Sequence, residues 1–161
     1  MKILLAVDGS PYSEMSVREV TGRPWPAGSE VKILGCAHLK IPDVPDSILV
    51  YYSMRRELLE ADRKRMHQVV NQAAEMLRER GTTLKIEAEV LDGSPKEVIL
   101  DAAKQWGANL IVVGSHGYGP VKRFLLGSVS QAVASHAPCT VEIVRAVSTH
   151  EGGETALHKQ V

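Results

Sequence analysis

The sequence has few aromatic residues and no excess of charge of either sign. Aromatic side chains make up 4% of its 161 residues, and 19 basic residues balance 19 acidic ones. A protein that binds nucleic acid usually needs a cationic surface for the phosphates or aromatic side chains on which bases stack. The composition therefore predicts no binding of nucleic acid.

Long apolar segments are absent as well. No run approaches the roughly 18 apolar residues of a transmembrane helix. The amino-terminal segment MKILLAVDGS turns polar too early for a secretory signal. We therefore predict a cytoplasmic protein with no membrane partner. Its length suits one domain with a single core.

Several familiar site motifs are missing. No Gly-Lys-Ser/Thr triplet follows Gly119-Pro120, so there is no P-loop, and the first apolar run leads into DGSPYS without G-x-G-x-x-G. The motifs H-E-x-x-H and G-x-S-x-G do not occur. The histidines lack the spacing of metal ligands, and the two cysteines lack a visible catalytic partner.

Apolar runs and helical periodicity alternate along the chain. Short apolar runs predict buried strands, and apolar residues recurring every three or four positions predict helices. The predicted strands are 2–7, 31–37, 84–90, 110–113 and 140–145, and the predicted helices are 13–20, 52–80, 95–106 and 128–135. This alternation predicts the α/β class: one open, doubly wound, parallel five-stranded sheet with helices on both faces.

Finer local features are also predicted. Strict alternation in LKIEAEV favours an edge strand with one exposed face, and Ser94, Pro95 and Glu97 match a capping box with proline at the first helical position. Ser10 or Ser13 is available to cap the first helix. Residues 147–161 lack periodicity, which predicts a disordered tail after a domain spanning 1–146.

A glycine pattern follows the fourth predicted strand. The stretch VGSHGYGPVKRFLLGSVS runs from Val113 to Ser130, and Gly114, Gly117 and Gly127-Ser128 fit G-x2-G-x9-G-[ST]. Such glycines let main-chain N–H groups approach a ligand, and a helix that begins at Gly127-Ser128 would direct its free N–H groups at an anion. In this interpretation Ser128 caps the helix. The alternative is an ordinary strand-to-helix loop.

This pattern, together with ILLAVDGSPYS, resembles the ATP-binding branch of the universal stress protein family, over about residues 1–145. The resemblance implies the strand order 3-2-1-4-5 and ATP as the ligand. Ligands of such sheets bind beyond the carboxyl ends of the two central strands, where Asp8 and Gly114 lie. The order also places two strands between Cys36 and Cys139, which is too far for a disulfide because neighbouring strands are about 4.8 Å apart.

The resemblance further implies a role for each loop. Asp8 would accept hydrogen bonds from the ribose, or form an Asx turn with Ser10, or both. The wall near adenine would consist of Ala6, Val7, Cys36 and Ala37. The residues next to ribose and phosphates would be Val113, Gly114, Ser115, His116, Gly117, Gly127, Ser128, Val129 and Ser130.

Charged groups near the phosphates have two interpretations. His116 is either a phosphate donor or solvated, and the same holds for Lys122 and Arg123 as phosphate-neutralising groups. A Mg²⁺ or Mn²⁺ ion would be held mainly by phosphates and water, so no protein metal ligand is assigned. The connector 40–51 is a candidate lid over the nucleotide.

The leading functional hypothesis is an ATP-binding stress-response protein in which the nucleotide switches a conformation or a partner interface. The loop lacks a clear acidic base, which favours binding over turnover. Two alternatives stay open: a slow ATP hydrolase or adenylyl-transfer enzyme using Asp8 or His116, and a dimeric scaffold with a vestigial site.

The resemblance also implies a homodimer that pairs the edges of two fifth strands from Val141 to Val144. Glu142 departs from the apolar residue usual at that place, and two such carboxylates meeting across the axis would repel each other. The alternative is that this charge points to solvent or discourages nonspecific pairing.

Overall fold

The computed structural model describes residues 1–39, 48–79, 83–117 and 126–145, of which 48–54 are described by their backbone alone. Within these residues the strands are β1 (Lys2–Val7), β2 (Glu30–Ala37), β3 (Lys85–Asp92), β4 (Leu110–Gly114) and β5 (Thr140–Val144). The helices are α1 (Pro11–Gly22), α2 (Ile48–Glu79), α3 (Pro95–Trp106) and α4 (Ser128–His136). The strands pair in parallel in the order β3-β2-β1-β4-β5, which confirms the predicted fold class and the strand order.

Two apolar layers enclose the sheet. Alternate residues of the central strands face opposite layers, so Ile3 and Leu5 pack beneath α1 and α2, whereas Leu4 packs beneath α3 and α4. All three side chains have 0% exposure. The continuous apolar runs of β1 and β4 are therefore explained by burial on both faces.

Two predicted elements differ in detail from the structure. Helix α2 begins at Ile48, four residues before the predicted start, and its predicted end at Gly81 lies outside the described residues. Strand β3 spans Lys85–Asp92 instead of 84–90, but it is an edge strand with one exposed face as predicted: Ile86 and Val90 pack against the core, whereas Lys85 and Glu87 are exposed. Its Glu87 and Glu89 bond the Lys32 ammonium of β2, each at 3.2 Å.

The helix caps correct two further predictions. Ser10 caps α1 as expected, because its Oγ accepts the Ser13 N–H at 3.3 Å. Ser94 occupies the N-cap of α3, but its side chain makes no capping hydrogen bond, so the capping box is wrong. Gly127 is the N-cap of α4, and Ser128 is the first helical residue rather than the cap.

The chain reverses its direction of winding between β1 and β4. From β1 the sheet continues through β2 to β3 on one side, and from β4 to β5 on the other. Connections that leave in opposite directions open a crevice at the carboxyl ends of β1 and β4. Separately, none of the described helices is both long and apolar enough to cross a membrane.

Candidate functional site

An open cleft of about 1060 Å³ occupies this crevice at the carboxyl ends of the strands. Its apolar part lies on the α3/α4 side of the sheet and is lined by Ala6, Leu34, Cys36, Ile99, Val113, Val129 and Ala132. Its polar rim comes from the loop after β1, His38 after β2, the loop after β4, the starts of α3 and α4, and the middle of α2. An apolar slot with a few convergent polar groups is the usual form of a small-molecule site.

The loop after β1 is fixed by its own side chains. The Asp8 carboxylate accepts the Ser10 N–H at 2.9 Å, so the Asx turn offered as an alternative role for Asp8 is present. A Cβ on Gly117 would lie 2.6 Å from Asp8 Oδ2. The first loop and the glycine loop therefore meet at the Asp8 carboxylate, which also lines the cleft.

Gly114 serves the packing of α1 at the edge of the cleft. A Cβ on this residue would lie 2.8 Å from the Tyr12 carbonyl carbon and 3.0 Å from the Ser13 nitrogen. Because these are main-chain atoms of a capped helix, they cannot move aside cheaply. Glycine is thus required here by the close approach of α1 to β4, in addition to any ligand.

Two hydrogen-bond donors that were predicted to bind phosphates hold the start of α4 against the glycine loop. The Gly127 N–H donates to Ser115 O at 2.8 Å, and the Ser130 hydroxyl donates to Gly114 O and Ser115 O. These two donors are therefore engaged by the loop itself, and their role toward phosphates stays a prediction.

Main-chain donors nevertheless remain at the start of α4. The N–H groups of Ser128, Val129 and Ser130 are in the first turn, where no acceptor exists within the helix, and all three residues line the cleft. This turn contains no acidic residue, so its positive dipole end is not neutralised by its own side chains. It suits an anionic group.

His116 lies in the cleft between the glycine loop and α1. Its Nδ1 is 3.1 Å from Ser115 Oγ, and its ring centroid is 5.2 Å from that of Tyr12. Its main-chain oxygen faces the Ser10 hydroxyl at 3.4 Å. The imidazole thus contacts Ser115 and Tyr12, and the main chain of His116 contacts Ser10.

Most of the predicted site residues are brought together by the fold. The cleft is lined by Ala6, Val7, Asp8, Cys36, Val113, Gly114, His116, Gly117, Gly127, Ser128, Val129 and Ser130. Ser10, Ala37 and Ser115 do not line it: they are buried at 0%, 1% and 2% exposure. Ser10 caps α1, Ala37 O accepts the Gly93 N–H, and Ser115 O holds α4. Lys122, Arg123, the connector 40–47 and the tail 146–161 lie outside the described residues.

The contribution of α2 to the cleft was not predicted from the sequence. Asp62, Arg65 and Met66 line the cleft together with His38, which follows β2. Their spacing of three and four residues places them on one helix face. The sequence shows that these residues share a helix face, but it does not show which strand ends that face contacts.

The two cysteines are free and differ in environment. Cys36 lies in the apolar part of the cleft, and burial raises the pKa of its thiol to about 12. Cys139 precedes β5 away from the cleft, and burial raises its pKa as well. The prediction that they form no disulfide is confirmed. Over the part of the chain with described side chains, no group of three or more His, Cys, Asp or Glu is placed to hold a metal ion.

Comparisons with known proteins agree with this architecture. The model of the universal stress protein family matches residues 1–145. The Thermus aquaticus universal stress protein in the QAH/OAS sulfhydrylase 3′ region is 33% identical over 143 residues, covering 89% of this chain and 97% of that protein. The solved structure of the universal stress protein UspA from Lactobacillus plantarum is similar with a TM-score of 0.76 and 26% identity, over 90% of this chain and 97% of that one.

Some solved structures of the same fold contain a nucleotide. A universal stress protein in complex with cAMP has a TM-score of 0.65 and 23% identity to this chain, covering 89% of this chain and 96% of that one. An Arabidopsis thaliana family member holds AMP and an Archaeoglobus fulgidus member holds dAMP, with TM-scores of 0.63 and 0.55 and identities of 17% and 22%. At these identities the likeness shows the shared fold.

Proposed function

Because the chain belongs to the universal stress protein family, we propose that it is a cytoplasmic ATP-binding protein of the family's ATP-binding branch. In this proposal residues 1–146 form the binding domain, and the nucleotide acts as a switch of conformation or of partner binding. The observation that carries the proposal is the cleft at the β1/β4 crevice, which joins an apolar slot to the unneutralised start of α4. Adenine nucleotides in other proteins of this fold support it.

The apolar slot suits a planar base. Ala6 of β1, Cys36 of β2, Ile99 of α3 and Val129 of α4 line it. Burying the faces of a purine against such side chains is favourable because apolar surface leaves water. The Asp8 carboxylate at the polar rim would then accept hydrogen bonds from ribose hydroxyls.

The first turn of α4 suits the phosphates. Its three N–H groups, from Ser128 to Ser130, combine with the positive end of the helix dipole. Gly117 borders the same part of the cleft without a side chain. A divalent ion, Mg²⁺ or Mn²⁺, would neutralise phosphate charge and would be held mainly by the phosphates and water.

Protection of Cys36 by ATP tests this placement. We expect ATP with Mg²⁺, at about ten times its dissociation constant, to slow alkylation of Cys36 by about tenfold, because the base covers the slot. The thiol itself reacts slowly at neutral pH, since its pKa is about 12. The measurement is the rate of alkylation of each cysteine by mass spectrometry.

Cys139 is the internal control for this experiment, because it lies outside the cleft in the same molecule. Its rate should be the same with and without ATP. Saturating ATP that leaves the Cys36 rate unchanged would contradict the proposed position of the base.

We also propose a homodimer in which two β5 edges pair across a two-fold axis. The Glu142 carboxylate accepts hydrogen bonds from both terminal nitrogens of Arg23, at 2.6 and 2.8 Å. Such two-pronged pairing is the strongest form of an arginine–carboxylate contact. The carboxylate that would repel its copy across the axis is thus paired with an arginine of its own chain, which also bonds Glu19.

This proposal predicts that Arg23→Ala weakens the dimer. Without Arg23, two unpaired Glu142 carboxylates approach each other, and we expect a larger monomer fraction in analytical ultracentrifugation. Arg23→Ala with Glu142→Gln should restore the dimer, and Arg78→Ala, at an exposed arginine of α2, is the control. A monomeric wild type would contradict the dimer itself, and an unchanged dimer in Arg23→Ala would contradict the role of the pair.

A further inference from the structure

A chain of hydrogen bonds from α2 crosses the rim of the cleft. The Asp62 carboxylate accepts the His38 N–H at 3.0 Å with one oxygen and the Arg65 guanidinium at 2.9 and 3.0 Å with the other. Arg65 in turn donates to the main-chain oxygen of Asp8 at 3.1 Å. We call these four residues the α2 strap: they tie α2 to the ends of β1 and β2, and all four line the cleft.

The strap supplies polar attachments where the apolar packing of α2 begins. Among the described side chains of α2, those from 55 to 65 include none that is buried, and Met66 is the first that is, at 1% exposure. Arg63 adds an ion pair to Asp92 at the end of β3. Residues 55–65 of α2 are therefore held to the strand ends by polar contacts, and Met66 beside them is the first apolar anchor of the helix.

The strap acts on the residue that joins the two site loops. Arg65 fixes the main chain of Asp8, while the Asp8 carboxylate holds Ser10 and abuts Gly117. Asp62 itself is only 17% exposed, so its charge is compensated mainly by Arg65 and the His38 N–H. A shift of α2 at this turn would therefore move Asp8 relative to the glycine loop.

We propose that Asp62 and Arg65 are positioning residues that couple the docking of α2 to nucleotide affinity. This inference rests on the proposed ATP site and names how that site is regulated. An interaction that keeps α2 docked against the strand ends strengthens ATP binding, and bound ATP in turn keeps α2 docked. Coupling of this kind is reciprocal, because a ligand that prefers the docked state stabilises it by the same free energy.

Asp62→Asn and Arg65→Gln test the coupling in the full-length chain. Asp62→Asn keeps the size of the side chain and Arg65→Gln shortens it, and each variant removes the charge on one side of the strap. We expect either to weaken ATP binding in calorimetry by about tenfold. Arg65→Lys should weaken ATP binding as well, although it keeps the charge, because an ammonium cannot reproduce the planar guanidinium that reaches Asp62 and Asp8 together. Lys64→Gln, at an exposed neighbour outside the cleft lining, is the matched control.

Hydrogen exchange supplies a measurement that a merely structural role would not change. ATP should slow exchange of the amides from 59 to 65 in the wild type and in Lys64→Gln, but not in Asp62→Asn. Lower thermal stability of the variants with unchanged ATP affinity would overturn the coupling and leave the ATP site intact. A wild type that binds no ATP would overturn the proposed function and the coupling with it.

Discussion

Gly127→Val will abolish ATP binding while the protein remains folded. The backbone of Gly127 has φ −62°, which any residue adopts, so the backbone angle itself does not exclude valine. A Cβ at this position would lie 3.2 Å from Ser115 O and 3.3 Å from His116 Cα, and the valine methyl groups would crowd the first turn of α4. Two hydrogen bonds to phosphate lost there would weaken binding by roughly a hundredfold or more, since each contributes about 1.5–3 kcal/mol.

Calorimetric titration with ATP and Mg²⁺ measures this loss, with circular dichroism to verify the fold. Gly22→Val is the matched control, because a Cβ at Gly22 meets nothing within 4 Å and the residue lies at the end of α1, outside the cleft. Wild-type affinity in a folded Gly127→Val protein would show that the start of α4 does not bind the phosphates.

Gly114→Ala will lower the free energy of unfolding by about 1–3 kcal/mol, the usual effect of overpacking a well-packed region. The new methyl group would lie 2.8 Å from the main chain of Tyr12, and α1 cannot move away without disturbing its cap. We therefore expect a lower denaturant midpoint. ATP affinity should fall as well, because Ser13 and Gly114 both line the cleft.

Gly22→Ala is the matched control for stability, since it adds the same methyl group in open space. It should be neutral or stabilise the protein by about 0.5–1 kcal/mol, as glycine is unfavourable in helices. If Gly114→Ala unfolds at the same denaturant concentration as the wild type, the close approach of α1 to β4 is not what requires glycine at this position.

The sequence predicted the fold well because its strongest signals are local. The run LIVV in β4 and the periodicity of α2 reflect burial that any α/β packing would produce. The strand order came from the resemblance, because apolar runs do not specify their neighbours. Helix caps were less predictable. Ser94 is the N-cap of α3, but its side chain makes no capping hydrogen bond. Ser128 has a suitable side chain, but Gly127 before it is the N-cap of α4.

The glycine spacing located the site without showing why each glycine is needed. Gly114 accommodates α1, Gly117 accommodates Asp8, and Gly127 accommodates the loop at Ser115. These reasons depend on contacts between elements far apart in the chain, which spacing cannot specify. The same limit applies to the α2 strap, since Asp62 and Arg65 are ordinary surface residues in a helical pattern until the helix is docked.

The most direct test of the central claim is whether the protein binds ATP. Nucleotide released by denaturing the purified protein would be identified by chromatography, and the emptied protein would be titrated with ATP and Mg²⁺ by calorimetry. An ATP-binding switch should release intact ATP and give a titration that saturates. Released ADP with weak retention of ATP would indicate a hydrolase instead of a binding switch. If nothing is released and no heat of binding appears, the cleft is not an ATP site and the proposed function is wrong.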